Sequence, residues 1–89
     1  MNKSLHFIVS GRVQGVFFRM KTKQQANLFS LTGWVHNLAD GRVEGIVSGE
    51  EKALEDFRRW LQKGPELARI LKVEYKYVPL QEFKGFSIR

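Results

Sequence analysis

From Leu5 to Tyr77 the spacing of apolar residues switches repeatedly between two and three-to-four, and this succession constrains the fold more than anything else in the 89 residues. Residues 5–12 (LHFIVSGR) alternate, with Leu5, Phe7 and Val9 to one side and His6, Ile8 and Ser10 to the other, which is a strand's period. A loop bounded by Gly11 and Gly15 follows, and from about Met20 the chain reads helical, with Phe18, Thr22, Ala26 and Phe29 down one face. Gly33 is expected to close the turn after this helix. Residues 34–38 and 42–48 read as a hairpin about Ala39, Asp40 and Gly41. Ser48 and Glu51 have the spacing of a capping box, and Ala53, Leu54, Phe57, Trp60 and Leu61 form an amphipathic stripe that Gly64 and Pro65 end. Leu71, Val73, Tyr75 and Tyr77 alternate with Lys72, Glu74 and Lys76 in a fourth strand, and Phe86 and Ile88 suggest a short closing one.

The order is therefore β-α-β-β-α-β plus a tail strand. Two helices with one apolar stripe each can cover only one face of a sheet. The expected fold is α+β: a ferredoxin-like sandwich with a mainly antiparallel sheet and both helices on one side. The lysine side of the fourth strand should lie on the open face. One domain spanning residues 1–89 is expected, because a chain this short buries only about 60–65% of its unfolded surface and has material for a single core. Apolar residues are 43% of the chain and aromatics 12%, enough for that core.

The absence of cysteine removes thiol nucleophiles, disulfides and thiolate metal sites from consideration. The apolar run at residues 5–9, broken by His6, is too short for a signal peptide or a membrane span, so a cytoplasmic address is expected, with no membrane partner. Fifteen Lys+Arg against nine Asp+Glu give +6, which suits solubility, a nucleic acid, or a small anionic substrate drawn in by the field.

The stretch from Gly11 to Arg19 (GRVQGVFFR) carries the most chemistry. Between a strand and a helix, its glycines let backbone N–H groups converge on one concavity, and the helix start adds its positive dipole end. Arg19 could add a planar fork of donors matched to two phosphate oxygens. Taken alone, the same residues are also an ordinary strand-to-helix turn with an exposed arginine. No Lys-Ser/Thr pair follows Gly15, so the P-loop pattern is absent. Asn37 falls at a strand end before a turn, where asparagine commonly serves turn chemistry.

Taken together, GRVQGVFFR at 11–19, GWVHN at 33–37 and DGRVEGIVSG at 40–49 resemble the signature motifs of the acylphosphatases, and the likeness runs on to the closing GFSIR at 85–89. The resemblance implies the same ferredoxin-like fold and the hydrolysis of an acyl phosphate to a carboxylate and inorganic phosphate. It puts the phosphate-binding arginine at Arg19, the water-positioning asparagine at Asn37, and the phosphate loop on Gln14, Gly15, Val16, Phe17 and Phe18. Two positions depart from the family pattern. Phe17 stands where many members carry glycine, so the loop is expected to manage with φ below zero there. His36 stands where Lys, Arg or Gln is usual, and by alternation it should point away from Asn37.

Such a reaction needs few residues. The leaving carboxylate has a conjugate-acid pKa of roughly 4, so no general acid is required. Phosphoryl transfer runs through a loose transition state in which positioning and charge stabilisation dominate. No His/Asp/Glu cluster shows metal-ligand spacing, and neither a metal nor another cofactor is expected. His6 and His36 read as solvated or packed side chains, and Glu50, Glu51, Glu55 and Asp56 as capping residues and a wet helix face. A monomer acting on a small-molecule acyl phosphate is expected.

Two rivals share the element order. An RNA-recognition module would carry base-stacking aromatics on its third strand, and residues 42–48 have none, so no specific nucleic acid partner is expected. An accessory domain that binds phosphate without turnover would not need both Arg19 and Asn37.

Overall fold

Alternation in β1 (Asn2–Arg12) sets the layers of the fold: Leu5, Phe7 and Val9 are fully buried, while His6, Ile8 and Ser10 are half-buried on the opposite face. The computed structural model describes residues 1–15 and 17–89. After β1 come α1 (Phe18–Leu28), β2 (Thr32–Asn37), β3 (Val43–Glu50), α2 (Glu51–Lys63), β4 (Arg69–Val78) and β5 (Phe86–Ile88). The strands make one sheet in the order β4-β1-β3-β2-β5. β1 pairs antiparallel with β3 and β4, and β2 antiparallel with β3, while β5 is parallel to β2. This is the expected ferredoxin-like α+β fold.

One apolar layer holds it together. Leu5, Phe7, Val9, Val35, Val43 and Val47 from the sheet meet Phe18 and Ala26 of α1 and Leu54, Phe57 and Leu61 of α2. The Phe7 and Phe57 rings meet edge to face at 5.5 Å. Burying each large side chain contributes about 1.5–3 kcal/mol, so this layer is the main favourable term. On the other face lie Lys72, Glu74 and Lys76 of β4, in register with Ser10, Ile8 and His6. The lysine side of β4 is thus on the open face, as its alternation required.

Four local details depart from the sequence reading. α1 begins at Phe18 rather than near Met20. It ends at a left-handed Ser30 (φ 59°), not at Gly33: the Ser30 N–H donates to Asn27 at 3.0 Å and the Leu31 N–H to Ala26 at 2.8 Å. Those two bonds are the Schellman closure, here with serine in the place glycine usually fills. Gly33 instead lies within β2 with φ 143°, where an added Cβ would run into the Ile46 carbonyl oxygen, so the sheet's close approach is what demands glycine there.

Ser48 and Glu51 form no capping box. Ser48 is still in β3, where its hydroxyl pairs with that of Ser4 at 2.6 Å, and Glu50 precedes α2 without a side-chain cap. The strand's cross-sheet demand for Ser48 overrides its capping propensity. In β4 the pairing slips between Ser10 and Gly11, leaving Leu71 unpaired and 75% exposed while Ile70 packs on the core in its place. Alternation alone cannot show such a bulge.

Candidate active site

β1 and β2 run parallel to each other on either side of β3, so the loop after β1 and the end of β2 emerge at the same end of the sheet. Val43 fixes their relative level, since it is the register partner of Val9 on one side and of Asn37 on the other. Asn37 shares its face with the buried Val35 and is itself exposed. His36 points to the opposite face, as expected.

The loop is anchored by the buried Val13 and turns through Gly15 at φ 73°. Phe17 enters α1 in the left-handed region, at φ 59° and ψ 26°, which corrects the expectation of a negative φ. The chain must reverse from strand to helix within a few residues, and left-handed backbone at this position achieves the turn. The side chain gains no burial in return, being 67% exposed, so the backbone conformation costs about 1–2 kcal/mol that glycine would not incur. Val16, expected in the phosphate loop, lies outside the described residues.

α1 opens without a side-chain cap and without an acidic residue in its first turn. Its first backbone bond runs from the Lys21 N–H to the Phe17 carbonyl at 3.0 Å, which leaves the N–H groups of Phe18, Arg19 and Met20 with no acceptor inside the helix. Arg19 and Lys21 add positive charge to the end where the dipole is already positive. That arrangement is unfavourable by itself and becomes favourable once an anion occupies the helix start.

A hollow of about 450 Å³ lies at this point, lined by Gln14, Gly15, Phe17, Phe18, Arg19 and Asn37, with Val13, Met20 and Ile88 completing its walls. Every described residue assigned to the site by sequence therefore converges on one cavity. Phe18 contributes backbone only, because its ring is buried and stacks near Trp60 at 6.1 Å. Gln14 differs from expectation in direction. Its amide donates to the carbonyls of Leu38 at 3.2 Å and Arg42 at 3.5 Å, so it braces the hairpin beside Asn37. The turn itself is set by Asp40, which accepts from the Arg42 N–H at 3.1 Å and the Arg42 Nε at 2.8 Å. The Arg42 N–H holds the Asp40 carboxyl below its ordinary range.

Sequence reasoning missed Glu44. On the open face it accepts from His36 Nε2 at 2.7 Å and from His6 Nε2 at 2.8 Å. These two bonds, His36 first, hold its carboxyl below the usual carboxylate range despite partial burial. Alternation puts all three side chains on one face, but only the register (His36 and Ile8 beside Glu44) brings them together. Among the described residues no group of three or more His, Cys, Asp or Glu side chains could hold a metal ion, and no helix is long and apolar enough to cross a membrane.

The acylphosphatase family model matches residues 5–88. The acylphosphatase of Pseudomonas paraeruginosa is 49% identical over 85 residues, covering 96% of this chain and 93% of the relative. Among solved structures, an acylphosphatase from Coxiella burnetii superposes with a TM-score of 0.95 at 36% identity, covering 99% of this chain and 93% of that one. The acylphosphatase of Bacillus subtilis gives 0.94 at 36% identity, with 100% and 99% covered. The chain belongs to the acylphosphatase family. Its activity is the hydrolysis of the carboxyl–phosphate bond of acyl phosphates.

Proposed function

We propose that Arg19 and the loop backbone at Gly15, Phe17 and Phe18 hold the phosphoryl group, and that Asn37 orients the water that attacks it. The observation that carries this reading is the shared cavity: the uncapped, positive start of α1 and the Asn37 side chain line one hollow. The phosphoryl oxygens meet the free N–H groups and the Arg19 guanidinium, donors that act where transition-state charge resides. The Asn37 side chain offers a carbonyl and an amide to hold a water in line with the scissile bond. The water oxygen bonds to phosphorus as the phosphorus–acyl oxygen bond breaks. Its electron pair leaves with the carboxylate, and a water proton passes to a phosphoryl oxygen, so no protein base or acid is required.

The test compares benzoyl phosphate with an alkyl phosphate monoester, each with and without exhaustive chelation. Turnover of the acyl phosphate alone, unchanged by the chelator, is expected. Comparable rates on the monoester, or loss on chelation restored by a divalent ion, would reject this mechanism. The same reading makes the enzyme a cytoplasmic monomer whose +6 charge steers its small anionic substrate. Sedimentation at working concentration tests the monomer. RNA binding should be weak, without sequence preference, and lost at moderate salt.

A further inference from the structure

β4 closes one side of the sheet: it pairs with β1, and among the described residues no strand pairs with its other edge. About half of its backbone N–H and C=O groups therefore point away from β1, in the alternating pattern that accepts an added strand. Sheet edges are commonly kept short or interrupted by proline, but this one runs ten residues without a proline. Past the slip at Leu71 its register is unbroken from Lys72 to Val78. The two faces of that run differ. On the open face stand Lys72, Glu74 and Lys76, and Glu74 is already paired with Lys72 at 3.1 Å and Arg42 at 3.9 Å. On the helix face Tyr75 and Tyr77 are 45% and 39% exposed, their rings edge to face at 6.4 Å. Cations flank these rings as well: the Arg58 guanidinium lies 4.8 Å from Tyr75, and the Lys3 ammonium 5.7 Å from Tyr77.

We infer that this edge is a docking site for an extended acidic segment of a partner protein, which adds to the sheet as a further strand. Charge names the partner. With Glu74 neutralised, the charges left along the edge are those of Lys72, Lys76, Lys3 and Arg58, on a chain of net charge +6. A strand laid here continues the alternation of β4, because directly opposite side chains share a face. Its positions beside Lys72 and Lys76 call for carboxylates, and the position beside Glu74 for a base. Those beside Val73, Tyr75 and Tyr77 call for apolar groups. The recognised pattern is therefore acid–apolar–base–apolar–acid, its two carboxylates on one face. A second copy of this chain, laid symmetrically about Glu74, sets Lys72 against Lys76 and Glu74 against itself, like on like. The lysines thus hold such a copy off and favour a segment of complementary charge.

The experiment titrates the full chain into a fluorescent peptide with the core Glu-Val-Lys-Val-Glu and follows anisotropy. A permuted core, Val-Glu-Lys-Glu-Val, has the same composition and charge but puts its carboxylates on the wrong face. The first peptide should bind at least about tenfold more tightly than the permuted one, and should lose binding when every core amide is N-methylated. Binding should also protect the outward N–H groups of β4 from hydrogen exchange and leave those of α1 unchanged. Lys72→Glu combined with Lys76→Glu should weaken the first peptide at least about tenfold and confer binding of Lys-Val-Glu-Val-Lys. Equal binding of the first and permuted peptides, or binding that survives N-methylation, overturns strand addition. These arms use the unaltered chain and decide the matter even where the double variant fails to fold. Binding without protection in β4 overturns the site, and a folded double variant that ignores the charge-swapped peptide overturns the charge pattern. Dimerisation of the chain alone, with β4 protected, makes a second copy the occupant and overturns the acidic partner.

Discussion

The side-chain amide of Gln14 lies 3.2 Å from the carbonyl oxygen of Leu38, the residue that follows Asn37. With a second, longer bond to the Arg42 carbonyl at 3.5 Å, the amide ties the loop after β1 to the hairpin that carries the asparagine. The Leu38 N–H is itself bound to the Arg42 carbonyl at 2.7 Å, so the brace acts on a hairpin already closed. Gln14→Leu removes the brace while keeping the side chain's bulk. It should lower kcat about tenfold with little change in KM, because misplacement of a water holder is felt in the transition state. The stability cost should be about 0.5–1 kcal/mol, as for one partly wet hydrogen bond. An unchanged kcat would show that the brace does not govern Asn37.

Arg19 and Asn37 should separate in their kinetics. Arg19→Ala should weaken competitive inhibition by inorganic phosphate at least about tenfold and also reduce kcat by about 10²–10³. Asn37→Ala should reduce kcat by a similar factor while phosphate inhibition and KM stay nearly intact, since bound phosphate needs no water. Both variants should remain folded, because neither side chain belongs to the buried layer. Equal weakening of phosphate inhibition by the two changes would disprove the division of labour.

Glu44 should make the fold acid-sensitive. Its folded-state pKa is depressed, chiefly by the His36 hydrogen bond and then by that from His6. The unfolded chain therefore takes up this proton more readily, and the stabilisation is fully present above the ordinary value of 4.5. It is lost as pH falls below that value and through the folded one. Glu44→Gln should remove about 1 kcal/mol at neutral pH and flatten the stability profile below the ordinary value. Urea midpoints from neutral to acidic pH are the measurement, and an equal acid slope in both proteins would exclude Glu44 as the source.

Among the described residues, two non-glycine residues sit in left-handed backbone, Phe17 and Ser30. Ser30→Gly should raise stability by about 1 kcal/mol, as glycine fits the Schellman position without a Cβ penalty. At Phe17 the relieved strain is offset in part by glycine's greater freedom in the unfolded chain, so Phe17→Gly should gain less than about 1 kcal/mol. Thermal midpoints decide both, and a lowered midpoint for Ser30→Gly would mean its hydroxyl contributes a bond that matters more than the backbone.

The layer arrangement was legible because period counts only faces: Leu5, Phe7 and Val9, or Leu54, Phe57 and Leu61, can be sorted into a buried side without knowing what they meet. Arg19 and Asn37 were legible through the motifs around them. Illegible features were those set by register or by the route of the backbone. The Glu44 bridge needs β2, β3 and β1 aligned to the residue. The bulge at Leu71 looks the same in sequence as unbroken alternation. Ser48 carries a capping signature that the Ser4 hydroxyl overrides from 44 positions away. Phe17 was misread because steric propensity argues for negative φ, while the reversal into α1 requires the opposite.

Val43, flanked by Val9 and Asn37, turns the sheet into a ruler. The strand that leads to the phosphate loop and the strand that ends in the water holder lie two strand spacings apart, roughly 9–10 Å, with β3 as the only graduation between them. That interval cannot be adjusted by degrees. Keeping the same faces inward, a strand can slip only by two residues, about 7 Å, and any such slip unmakes the ladder. Substitutions in the buried layer should therefore lower the amount of folded enzyme while each folded molecule keeps its full rate.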